Sequence, residues 1–295
     1  MNEIPSDVVG LTRVADVSRR GLMMSAAAAS AAGYTLAAGP VRAEVVVTDT
    51  EGIEAGTTSV EVAGGGMMPA YFARPKGVAY PPVVLVAMEI FGLHEYIRDV
   101  VRRVAKLGAM AIAPDLYFRA GADLPAMTDF AQIMGIVNAK PDAELIADLD
   151  ASVTWAKGRG GDGGRLGIIG FCRGGRAVWE YCAASEQVKA GVAFYGSLDD
   201  PAGQKGIWPK SPLELAGAMK APVLGLYGEA DQGIPVTQVE AMKAALAAAG
   251  KKAEFQVYAG APHGFHADYR PSYRKEAAED AWGRTAAWLK GNGVL

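Results

Sequence analysis

Three reactive side chains stand in order along the chain, each just after an apolar run: Cys172, Asp231 and His263. Cys172 closes Leu166-Gly-Ile-Ile-Gly-Phe and precedes Arg173-Gly-Gly-Arg176, so it lies midway between Gly170 and Gly174. Such a run reads as a buried strand, a sharp turn and a helix. Glycines two residues to either side remove Cβ atoms where strand and helix close on one another, leaving the sulfur pushed outward. Helix amides and dipole beyond the turn favour thiolate over thiol and can hold an oxyanion. The chemistry this predicts is acyl transfer.

A cysteine nucleophile in that setting needs an acid after a later strand and a base later still. Gly228-Glu-Ala-Asp231 follows the apolar run Pro222 to Tyr227, and Gly260-Ala-Pro-His263-Gly-Phe265 follows Ala253 to Tyr258. In this reading His263 moves protons while Asp231 fixes its tautomer. Taken singly, Asp231 reads as a turn residue and His263 as a loop histidine; order and placement make the case jointly. Asp199 and Asp200, after the run Ala190 to Tyr195, are the substitute acids.

With Glu89-Ile-Phe-Gly92 and Ala113-Pro-Asp-Leu-Tyr117, these motifs resemble the dienelactone hydrolase, or carboxymethylenebutenolidase, family from about Gly65 to about Leu289. The resemblance implies an α/β-hydrolase fold, a mostly parallel central sheet with helices on both faces. It implies hydrolysis of a small lactone or carboxylic ester through an acyl-enzyme on Cys172, without cofactor. The backbone amides of Arg173 and Ile90 would form the oxyanion hole, and Glu89 would touch and help activate the resting thiol. A carboxylate leaving a buried strand beside a thiol is expected to have a raised pKa and to accept its proton. Two positions where the family holds a substrate carboxylate with arginine align with Thr154 and Ala267, which argues against dienelactone itself. Arg119, Arg270 and Arg274 are candidates for recognising a carboxylate, and Tyr117 for a pocket wall. The Arg173 side chain is expected in solvent. His94, His263 and His266 lack metal-ligand spacing, so no metal site is expected. A thioesterase or general carboxylesterase could use the same triad; a binding or thiol-redox protein would need neither acid nor base.

The 295 residues, 51% hydrophobic and 21% charged, allow one domain of about 250 residues plus an appendage. A net charge of −3 with no basic cluster argues against nucleic acid and for small-molecule partners. Ser18-Arg-Arg-Gly-Leu-Met-Met24, an alanine-rich stretch and Val41-Arg-Ala43 resemble a twin-arginine export signal over residues 1–43, implying the export machinery as a partner and a periplasmic mature domain over 44–295. That stretch is too interrupted for a stable membrane span. Cys172 and Cys182 lie ten residues apart along one turn and helix, roughly 15 Å, too far to bridge.

Strands must place the three residues. Ser59 to Ala63 and Ala70 to Arg74 alternate around Gly64-Gly-Gly66 as a hairpin at a sheet edge. Pro82 to Ala87 reads as a strand covered on both faces, followed by a helix through Leu107 and a strand Met110 to Ala113. A helix over Ala143 to Lys157 is expected to end in a flexible turn at Gly158 to Gly164, which matches a dinucleotide-binding pattern but precedes a strand and is therefore rejected as a cofactor site. Helices over Val236 to Ala249 and Arg274 to Leu289 complete an alternating order whose site belongs at the carboxyl edge of the sheet.

Overall fold

The computed structural model describes residues 45–199 and 207–295. The expected export segment and Asp200 lie outside them.

Alternating polar and apolar residues in β1 (Ile53–Val62) and β2 (Gly66–Pro75) form the expected antiparallel hairpin, turned by Gly64 and Gly65 at φ +87° and +82°. The uniformly apolar β3 (Pro82–Ala87) and β4 (Met110–Pro114) are buried throughout, as strands covered on both faces must be. Between them runs α1 (Glu95–Lys106), whose apolar stripe Ile97, Val100, Val101 and Val104 faces the core. Two short 3-10 turns and α2 (Phe130–Asn138) follow β4; the Asp129 carboxylate caps α2 by accepting the N–H groups of Ala131 and Gln132.

Next come α3 (Asp142–Lys157), β5 (Asp162–Phe171), α4 (Arg173–Ala184), β6 (Val188–Phe194), β7 (Val223–Gly228), α5 (Val236–Ala248), β8 (Ala253–Tyr258) and α6 (Lys275–Gly291). One sheet has the order β1-β2-β4-β3-β5-β6-β7-β8, with β4 through β8 parallel along that order. This is an α/β-hydrolase arrangement. One boundary differs from expectation: β5 starts at Asp162, inside the glycine run, because Asp162 donates its N–H to Pro81 O and extends the ladder beside β3.

The inner strand β5 is tightly covered. A Cβ on Gly167 would come within 2.9 Å of Val294 and 3.2 Å of Leu289, both fully buried, so α6 and the residues after it rest directly on β5. Strand direction then puts the residues after β3, β5, β7 and β8 on the same sheet edge. Among the described residues, no helix is long and apolar enough to cross a membrane.

Candidate active site

Between β5 and α4 the chain turns within one residue. Cys172 takes φ +56° and ψ −117°, a conformation L-residues rarely adopt, and its N–H is tied to Phe194 O at 3.0 Å. The neighbours explain the glycines. A Cβ on Gly170 would meet Gly174 O at 2.0 Å, and one on Gly174 would meet Ala87 O at 2.1 Å. The first turn of α4 is thereby pressed against the end of β3, next to Glu89 and Ile90. Among the described residues, neither the Arg173 nor the Ile90 amide donates to a protein acceptor. A helix's first N–H groups have no intrahelical partner, so Arg173 N–H is free for an oxyanion.

Asp231 and His263 meet at the same edge. Asp231 Oδ2 accepts from His263 Nδ1 at 2.7 Å, while Asp231 Oδ1 accepts the N–H groups of Gly233 and Ile234 at 2.9 and 3.1 Å. Those two amides lock the carboxylate, and it orients the ring. Burial alone would lower the pKa of His263; the charge of Asp231 and the charge and hydrogen bond of Cys172 outweigh it and raise the value to about 10. Tyr195, itself at φ +37°, packs its ring edge on His263 at 5.0 Å between centroids. The substitute acid Asp199 is exposed.

This ion pair should be visible in stability. A histidine whose folded pKa exceeds its ordinary 6.5 contributes stability that is complete below about pH 6.5 and is lost as pH rises through about 10. For Asp231→Asn, the melting temperature is expected to fall furthest below the parent's near about pH 6, with the gap narrowing toward about pH 10. Turnover of any hydrolysed ester should drop by about 10² to 10⁴. A gap that widens with pH would contradict the assignment.

Glu89 departs from expectation. Its carboxylate accepts from Tyr269 Oη at 2.8 Å, meets His94 Nε2 at 3.2 Å and lies 3.6 Å from Arg270 Nη2. Burial would raise its pKa, but Arg270 and His94 override that and hold it down at about 2, the reverse of the predicted sign. Arg270, also bonded to Tyr269 and stacked over Phe91 at 4.3 Å, feels the charge of Cys172. Of the three candidate arginines it is the one placed beside Cys172. Tyr117 is buried there too; burial pushes its phenol up to about 12, with Arg173 and Cys172 among its charged neighbours.

The other arginines are occupied elsewhere. Arg119 forms a two-pronged pair with Asp148 at 2.7 and 2.9 Å, against Lys140, and Arg274 bonds the carbonyls of Pro271 and Tyr273. Thr154 lies exposed on α3 with its hydroxyl on Asp150 O, so it does not mark a pocket position, whereas Ala267 is buried four residues past His263.

Arg173 is not in solvent. It is buried, bonded to Glu180 and Asp142 at 3.2 Å each and stacked on Trp208 at 4.4 Å; Arg176 joins the same two acids and the same ring. Sequence reasoning missed this cluster. Glu180 at four and seven residues from the two arginines was the available signal. Cys182 is buried and its thiol pushed up by burial. Among the described residues no group of three or more His, Cys, Asp or Glu side chains is arranged to hold a metal ion.

A profile of the dienelactone hydrolase family matches residues 68–292. A Methylorubrum extorquens protein named "Putative carboxymethylenebutenolidase" is 47% identical over 297 residues, covering all of both chains. An Escherichia coli K12 protein with the same name is 48% identical over 265 residues, covering 88% of this chain and 94% of its own. Among solved structures, a Klebsiella pneumoniae protein named "Putative Dienelactone Hydrolase" superposes with a TM-score of 0.77 at 48% identity, covering 81% of this chain and 98% of that one.

Proposed function

Since the chain belongs to the dienelactone hydrolase family, we propose that it hydrolyses a small carboxylic ester or lactone through a covalent acyl-enzyme on Cys172. The observation that carries this reading is the alignment of Asp231, His263 and Cys172, with His263 held by the first and raised in pKa by both. Sγ passes its proton to His263 and attacks the carbonyl carbon, and the oxyanion settles on the amides of Arg173 and Ile90. Collapse expels the alkoxide, which takes a proton from His263. Water, deprotonated by His263, then attacks the thioester and releases the acid and the free thiol. Each oxyanion amide is worth about 3 kcal/mol of barrier.

Cys172 is only 3% exposed, which favours small acyl groups over large ones. Arg270 beside the nucleophile favours an acyl portion bearing a negative charge, and Glu89 holds that arginine in place. The carboxymethylenebutenolidase activity named in the relatives fits this charge.

The test is to mix the full chain with 4-nitrophenyl acetate and with a carboxylated five-membered lactone, following product release and intact mass. Turnover with a transient acetyl adduct on the peptide containing Cys172 is expected. A folded protein with a titratable thiol but neither adduct nor product would overturn the reading in favour of a ligand-binding or thiol-redox protein.

A further inference from the structure

Helix α1 presents Tyr96, Asp99 and Arg103 at i, i+3 and i+7, one face of the helix. Tyr96 and Arg103 hold the loop that follows His263. Tyr96 Oη meets His266 Nδ1 at 2.6 Å, and Arg103 bridges two buried carboxylates, donating through Nη2 to Asp268 at 2.6 Å and through Nε to Asp99 at 2.5 Å. The next residues, Tyr269 and Arg270, are those that hold Glu89.

A segment without secondary structure, residues 45–50, lies along the same helix. Thr48 gives its N–H to Asp99 Oδ1 at 2.6 Å and its hydroxyl to Asp99 Oδ2 at 3.2 Å, and its carbonyl accepts from Arg102 Nε at 2.9 Å. Lys106 holds Asp49 at 2.5 Å and the Glu51 carbonyl at 2.6 Å, and the Val46 N–H faces Asp268. A bonded path therefore runs from Thr48 through Asp99, Arg103 and Asp268 to the residues against Glu89, and Asp268 is five residues past His263. Burying two carboxylates and most of a guanidinium costs hydration that pairing must recover, and apolar side chains would hold a helix to a loop without that cost. What the charges add is a fixed geometry: each oxygen accepts from a defined donor, so the loop cannot slide along the helix.

We propose that residues 45–50 form a strap that sets, through Asp99, Arg103 and Asp268, the position of the loop bearing His263 and Arg270 over Cys172. Thr48, Arg103 and Asp268 are then positioning residues. The proposal rests on the hydrolase reading for its turnover readout, and thiol alkylation supplies one that does not depend on it. The charged and titratable groups that face Asp268 are Arg103, Asp99 and Tyr96; those that face Cys172 are His263, Arg270 and Tyr117.

The experiment compares the full chain with Thr48→Pro, which removes both Thr48 donors, with Asp268→Asn, with Arg103→Lys and with the Thr48→Pro/Asp268→Asn double variant. It records kcat and KM on 4-nitrophenyl acetate and the pH dependence of Cys172 alkylation by iodoacetamide. Asp268→Asn is expected to lower kcat about tenfold and Thr48→Pro about threefold, with KM within about twofold, since small displacements of catalytic groups act on the chemical step. Cys172 alkylation should slow about threefold across neutral pH as His263 withdraws from the thiol. The double variant should be no worse than Asp268→Asn alone, because both act on one path, and Arg103→Lys, which keeps the charge, should retain about half the turnover.

Thr48 stands in a partly exposed segment, so Thr48→Pro tests the strap even if Asp268→Asn fails to fold. Lowered melting temperatures with unchanged kcat and an unchanged alkylation profile would overturn the proposal, as would additive effects in the double variant. A parent that turns over no ester would sink the hydrolase reading alone, and the alkylation profiles would still decide the strap.

Discussion

Cys172→Ala is expected to lose ester turnover by about 10³ to 10⁴ while remaining folded, with no acyl adduct by mass. The residual rate would come from the amides of Arg173 and Ile90 and from binding. The same position carries a second expectation, because Cys172 sits at φ +56°. Alanine keeps the Cβ and so keeps the strain; glycine removes it. Strain of this kind costs about 1 to 3 kcal/mol, and glycine's greater unfolded-state freedom offsets about 0.4 to 1 of it. Cys172→Gly should therefore be as inactive as Cys172→Ala yet more stable by about 1 kcal/mol in urea unfolding. Equal stability of the two would mean that the elbow is relaxed in solution and that the thiol is not held out by backbone strain.

The largest stability effects are expected at the glycines around Cys172. Adding a methyl group to a packed site usually costs about 1 to 3 kcal/mol, with relief by side-chain movement. At Gly170 and Gly174 the obstacles are backbone atoms, Gly174 O at 2.0 Å and Ala87 O at 2.1 Å, which move only if β3 and α4 separate. Gly170→Ala and Gly174→Ala should each cost at least about 3 kcal/mol, and expression as soluble protein should fall accordingly. Gly135, within α2 and with nothing within 4 Å of its Cβ position, is the control. Gly135→Ala should be neutral or stabilising by up to about 1 kcal/mol. Losses below about 1 kcal/mol at Gly170 or Gly174 would show that the helix does not seat against β3 as described.

What could be read from the chain was local. Apolar runs ending at Cys172, near Asp231 and near His263 specified three strands and the edge they share, because strand direction and the strand-helix alternation leave few other places for those residues. The sign of the Glu89 pKa was not legible. Burial, which sequence can suggest, raises it; Arg270, Tyr269 and His94, which lower it, include two residues 180 or so positions away. Arg173 failed for the same reason. An arginine after a glycine turn looks solvated until Asp142 and Trp208, each more than 30 residues distant, close over it. Arg119 was misplaced because its partner Asp148 lies on a helix packed against its loop, and loop segments between Asp115 and Pro141 carry no period that would fix their path.

The packing of Leu289 and Val294 over Gly167 bears on when the protein becomes an enzyme during its synthesis. β5 carries Cys172 at its end, and its cover comes from residues more than 120 positions later in the chain. While Leu289 and Val294 are inside the ribosomal tunnel, β5 lacks one of its packing layers, and the elbow it delivers has no rigid base. The nascent chain can acquire helices and the β1–β2 hairpin, but the elbow at Cys172 gains its base only after Leu289 and Val294 have emerged. A chain truncated just short of Leu289 should therefore present Cys172 on an unsupported strand and be unreactive toward esters.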